Sequence, residues 1–221
     1  MEGELEKGDV ELVADLLLRN NFSLEPTIRV LLASEMFFDP RYRMRLVRTP
    51  MNLLLGMMRT FETVDVPDFY AQDRRAGDDL LLRLSRLGQL PYDPPNVSGW
   101  RRDLDWITSS DATRRIDMCR RFGQGRLTYK DDPNSDLVLQ YDLIRVAREF
   151  ADPNDIDTLS SRMCQYLIGT TSADVVSSVR LVMLNKMPIN KWNPSGGDRE
   201  SLAGIRRGFT HILSAPRFQL F

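Results

Sequence analysis

Gln89, Asp93, Asn96, Trp100, Asp103, Asp105 and Trp106 crowd one short stretch of this chain. Two carboxylates about 5–9 Å apart across a sugar ring are what glycoside hydrolysis needs. Trp100 and Trp106 would stack on the flat face of such a ligand, while Gln89 and Asn96 each offer a donor and an acceptor. Aromatic walls with a few convergent polar groups also describe a ligand pocket that does no chemistry. The same residue types have plainer uses. Loop aspartates form turns and caps, and apolar loop side chains fill gaps between helices. The candidate binding residues are Gln89, Asn96, Trp100 and Trp106; no residue is singled out as catalytic.

The rest of the inventory closes other routes. His211 is the only histidine, which removes HExxH and every metal site built on two or three histidines. It lies about half a turn from the apolar face of Leu202, Ile205, Phe209 and Leu213, so it is expected at the surface and outside any triad. Cys119 and Cys164 are the only cysteines, too few for a disulfide framework. Cys119 falls on an apolar helix face and reads as a core residue, since a nucleophilic thiol needs an exposed, electropositive setting. No metal and no cofactor is expected, for there is neither a GxGxxG run nor a glycine-lysine phosphate loop. Arg101, Arg102, Arg114, Arg115, Arg120 and Arg121 form a basic cluster, to be read as a solvated face or as an anion site near a helix start.

Net charge is -1, from 30 basic and 31 acidic residues, which argues against a nucleic-acid or anionic-membrane binder. The 221 residues, 42% hydrophobic and 28% charged, suit a globular protein that buries roughly 70% of its unfolded surface. No apolar run approaches the ~18 residues of a spanning helix, so no transmembrane segment is expected. The acidic start Met1–Lys7 does not read as a signal peptide.

The elements that must position the central stretch are helical. Asp9 caps a helix to Arg19, and Ser23 starts another that reaches Met36. Thr49-Pro50 is an N-cap with a first-turn proline. The helix behind it, to Phe61, is apolar nearly all round and is expected to centre an N-terminal core, its methionines included. Residues 63–76 show no period. Asp78-Asp79 opens a short helix closed by Gly88. From Leu87 to Trp100 three prolines and two glycines forbid a regular element. Tyr92, Val97 and Trp100 are expected to plug the gap between the helix ending at Gly88 and the next one. That next helix, capped by Ser109 or Ser110, carries Ala112, Ile116, Cys119 and Phe122 on its apolar face. The hydrophilic run Lys130–Ser135 is the expected boundary between subdomains 1–129 and 130–221, if the chain is not one continuous domain. Beyond it helices are expected from Asp142 to Phe150, Pro153 to Ile168, a Thr171/Asp174 capping box to Asn185, and Asp198 to Leu213. No alternating strand run is present. The fold class is all-α: an irregular multi-helix bundle around a long Pro/Gly/Trp-rich loop.

The motifs in this frame resemble a known family. Gly88-Gln89, Pro94-Pro95-Asn96-Val97, Gly99-Trp100, then Trp106 and Ser109 before an arginine-bearing helix, resemble the bacterial domain of unknown function called DUF1800. Leu31–Phe38 with Val47-Arg48-Thr49-Pro50 resembles the family's approach to that loop, and Ser214-Ala215-Pro216-Arg217-Phe218 its closing box. Arg101-Arg102-Asp103 stands where the family usually has Pro-Gly-Gly, and Arg217 where an acid is usual. The resemblance implies a C-terminal portion of a longer, exported or envelope-associated protein. It implies no activity, since the family has none established. The reading that follows is a helical structural or binding module for an unknown protein or glycan-like ligand. The alternative is a hydrolase of a glycan-like substrate using the carboxylates near Trp100.

Overall fold

The structure, a computed structural model, describes residues 7–61, 74–128, 138–140 and 142–221. It is all-α, as expected. Among the described residues the strands are two three-residue pieces, Arg126–Thr128 (β1) and Val138–Gln140 (β2), paired antiparallel with Leu127 opposite Leu139. The period-free stretch lies mostly outside the described residues, and the hydrophilic run 130–135 wholly so. The chain forms two compact units, Met1–Val47 with Phe221, and Arg48–Leu220. The 129/130 position lies within the span of the second unit.

In the first unit, Lys7–Arg19 (α1) and Leu24–Ala33 (α2) pack on each other. Asp9 is not the cap of α1 but lies inside it, its carboxylate accepting from the Tyr42 hydroxyl. α2 ends at Ala33 rather than Met36. The Ser34 hydroxyl bonds back to the Leu31 carbonyl, and turns follow to the 3₁₀ segment Pro40–Tyr42. Leu46 and Phe221 pair through both backbone hydrogen bonds.

In the second unit the helices are Pro50–Thr60 (α3), Arg74–Arg86 (α4), Ser109–Gly123 (α5), Leu143–Phe150 (α6), Ile156–Ile168 (α7), Ala173–Leu184 (α8) and Arg199–Leu213 (α9). Side-chain oxygens start most of them. Thr49 accepts from Asn52 N–H, Asp142 from Ile144, Asp155 from Thr158 and Asp198 from Ser201, each satisfying a donor the helix leaves open. α5 is capped by Thr108, one residue before the serines. Left-handed Gly169 and Asn185 stop α7 and α8. The Thr171/Asp174 capping box does not form: Ser172 is the N-cap of α8, without a side-chain bond.

α9 is the hub, packing on α5, α6, α7 and α8. Its glycines permit this. A Cβ on Gly204 would lie 2.6 Å from the Met183 carbonyl oxygen, and one on Gly123 of α5 would lie 2.5 Å from Thr210 Cα. α3 is buried as expected, with Leu53, Leu54 and Met57 closed to solvent. It does not centre a separate N-terminal core, however. Phe61 at its end meets the rings of Phe122 and Phe209 at 6.3 and 5.2 Å, so it joins the core built on α9. Among the described residues no single helix is long and apolar enough to cross a membrane.

Candidate functional site

The central loop is anchored at its ends and bare at its tip. Tyr92 and Val97, expected to plug a gap, are fully exposed. The three prolines and two positive-φ glycines, Gly88 and Gly99, hold a shape without needing those side chains buried. Trp100 is half-buried, and its indole N–H is buried with no partner. Trp106 is buried in the 3₁₀ turn Asp103–Trp106. Asn96 caps its own turn: its Oδ1 accepts from Ser98 N–H at 2.8 Å. Gln89 reaches out of the loop, and its Oε1 accepts from Met51 N–H at 2.8 Å, in the first turn of α3.

Polar bonds do the anchoring expected of the aromatics. Asp111, buried in the first turn of α5, accepts from Arg101 at 2.8 Å and from the Thr108 hydroxyl at 2.6 Å. Arg114 donates to the Arg86 carbonyl at 3.0 Å, at the end of α4, where a cation also complements the helix dipole. The loop leaves α4 and enters α5 through these contacts. Arg101, one of the residues that depart from the Pro-Gly-Gly pattern, supplies one of them.

The arginine cluster disperses, and its most constrained member is Arg115. The expected face of α5 is rotated. Ile116 is exposed, while Asp111, Arg115, Met118, Cys119 and Phe122 are buried. Arg115 is 1% exposed. Its Nε donates to Gln219 Oε1 at 2.9 Å and its Nη2 to the Arg48 carbonyl at 2.5 Å, while Nη1 is buried without a partner. Arg48 N–H donates to the Gln219 carbonyl at 2.8 Å and its Nε to the Leu220 carbonyl at 2.9 Å. Its guanidinium lies 4.6 Å from the Phe218 ring centroid, a cation–π distance. Thus the approach segment around Arg48, the arginine helix and the closing segment around Phe218 meet at one buried point. Burial lowers the pKa of both guanidiniums from the usual arginine value.

Cys119 completes this junction. Gln219 Nε2 lies 3.6 Å from its Sγ, and burial pushes the thiol up to about 11 despite that bond. A protonated, enclosed thiol is no nucleophile at neutral pH. The junction is closed to solvent and reads as a clamp, not as a place for substrate. Sequence reasoning missed Arg115 by assigning it to the polar face. The signal was present in its spacing, for Asp111, Arg115, Cys119 and Phe122 follow one helical stripe.

The first unit carries a feature of another kind. α1 has no buried residue. Val10, Val13, Ala14 and Leu17, at the i, i+3, i+4, i+7 positions of one face, line a groove of about 770 Å³ with Leu31 and Phe37. Its surface is almost wholly apolar, and Tyr42, one of its few polar groups, is turned onto Asp9. No predicted site residue lies in this groove. Its signal in the sequence was the amphipathic stripe of α1. His211 is exposed, as expected. Among the described residues no group of three or more His, Cys, Asp or Glu side chains is placed to hold a metal.

A family model described as "Protein of unknown function (DUF1800)" matches residues 4–220, nearly the whole chain. No curated protein and no solved structure matches it.

Proposed function

The chain belongs to the DUF1800 family, proteins of unknown function, and from that premise we propose that it is a helical binding module that takes an apolar helix of a partner protein. The observation that carries this is the groove along α1. Its wall repeats at helical spacing, which is how one helix offers itself to another. Its lining would leave the hydroxyls of a glycan without partners, and each buried unpaired polar group is costly. An apolar helix makes no such demand, because its backbone is already bonded.

The test uses a designed amphipathic peptide of about 18 residues with leucine on one face, long enough for several helical turns. It should bind saturably, and Val13→Asp with Leu17→Asp should abolish binding while the unfolding curve of the protein stays in place. Equal binding by that double variant would sink the proposal. Binding of a chitin or maltose oligomer in place of the peptide would transfer the groove to a glycan.

The loop supports a weaker second reading. The half-buried ring of Trp100, and Asn96 beside it in the loop, are what a ligand at the tip would meet, with Gln89 and Trp106 behind them as supports. Glycan hydrolysis by Asp93, Asp103 and Asp105 draws less support, because Trp106, the second stacking surface it requires, is closed to solvent. The exported or envelope-associated parent is a proposal resting on the family resemblance alone.

A further inference from the structure

The second unit has a cleft that sets cationic side chains beside apolar surface. It lies where the ends of α5 and α9 meet and holds about 690 Å³, within the range of small-molecule sites. Arg120 and Gln124 come from the end of α5; Arg206, Arg207, Thr210 and His211 come from successive turns of α9. No carboxylate lines it. Three arginines facing one space would repel each other unless solvent or an anion screens them.

The cations are not equally committed. Arg207 is engaged: it donates to the Val182 and Met183 carbonyls at 3.1 and 2.9 Å and lies 2.8 Å from Glu200. It caps the end of α8 and holds one wall. The side chains of Arg120 and Arg206 form no ion pair or hydrogen bond among the described residues, and both residues are exposed. They sit on different helices, so the two guanidiniums can approach one guest from two sides. A second observation comes from the floor. Ser214 lines the cleft, and its hydroxyl is buried with no hydrogen-bond partner. A buried hydroxyl without a partner is uncommon, and here it lies in the same cleft as two uncommitted cations. Thr210 offers a second hydroxyl one turn away. Val182, Ala215 and Pro216 supply an apolar patch beside them.

We propose that this cleft binds a small phosphate monoester: the phosphate between Arg120 and Arg206, accepting from the Ser214 hydroxyl, and the organic part against Val182 and Pro216. A tetrahedral dianion can accept from donors on two helices and from a hydroxyl at once. A planar carboxylate matches a single guanidinium fork. The apolar patch favours an ester over the free ion. The position is rigid, because Gly123 brings α5 against Thr210 at the cleft's edge. This inference does not rest on the groove of the first unit.

Titrate the full chain with phenyl phosphate, inorganic phosphate and benzyl alcohol, following binding by calorimetry in low salt. Phenyl phosphate should bind at one site, inorganic phosphate about tenfold more weakly, and benzyl alcohol not at all. Arg120→Gln and Arg206→Gln should each weaken phenyl phosphate about tenfold, the loss of one charge-assisted contact. Both side chains are exposed, so these variants should fold. Ser214→Ala should weaken it a few-fold. No binding of phenyl phosphate, or unchanged binding in the Arg120→Gln/Arg206→Gln double variant, would overturn the proposal. Equal affinity for inorganic phosphate would overturn the ester assignment.

Discussion

Helices α1 and α9 are both amphipathic by sequence, yet only α9 closes its apolar face to solvent. α9 buries Ile205, Phe209, Ile212 and Leu213, while α1 buries nothing. An apolar stripe states that a helix has a face to hide; it does not say what hides it. The difference lies in the small residues. Gly204 and Gly208 on α9 let Met183 and Trp192 approach within distances at which any Cβ would clash, whereas α1 has no comparable close approach. Close packing at glycine is the mark of a face built for the chain's own core. The exposed stripe of valine and leucine on α1 is the face that the proposed partner helix would cover.

The comparison breaks most readily at the hub. Phe209→Ala should destabilise the second unit by ~3–5 kcal/mol, because it removes a closed ring that touches Phe61 and Phe150. Arg115→Ala should cost about as much. It strands Gln219 Oε1 and the Arg48 carbonyl oxygen and leaves a hole at the junction. Urea unfolding measures both, and a loss under about 1 kcal/mol for either would remove that residue from the core. Gly204→Ala comes next, at roughly 1–3 kcal/mol, since a Cβ there meets a backbone oxygen that cannot swing away.

The thiols give a pH test of the same core. Burial raises Cys119 and Cys164 to about 11. The folded form therefore keeps both protons at a pH where the unfolded chain has begun to lose them. Stability from this source is complete below the ordinary thiol value and is lost as pH rises towards 11, by about 1.4 kcal/mol per pH unit for each thiol. In the native state at pH 8 neither should react with a thiol reagent at the rate of an exposed cysteine, and both should react on unfolding. The smallest effect belongs to α1: Val13→Asp should shift the unfolding free energy by no more than about 0.5 kcal/mol. A shift of 2 kcal/mol or more would show that its stripe is already covered.

Much of the fold was legible because helix ends are local. Thr49, Asp142, Asp198 and Gly169 announce their roles by residue type, and all four serve as caps. What the sequence concealed depends on distant partners. Tyr92 and Val97 looked too apolar for water, but a loop held by Gln89, Arg101 and Arg114 has no need of them inside. Arg115 looked like surface because a charged side chain usually is; its acceptors, 67 and 104 residues away in sequence, decide otherwise. The division of the chain near Val47 carries no break in composition.

Amide hydrogen exchange on the free protein tests the contrast between the two helices most directly. Amides of Ile205–Leu213 should open only with global unfolding, because their helix is buried on several sides, whereas those of Val10–Leu17 should exchange through local opening at least a hundredfold faster. Adding the amphipathic peptide should slow exchange in Val10–Leu17 alone. Exchange in α1 as slow as in α9 in the free protein would contradict the account, for it would mean that the face read as open is already part of a core.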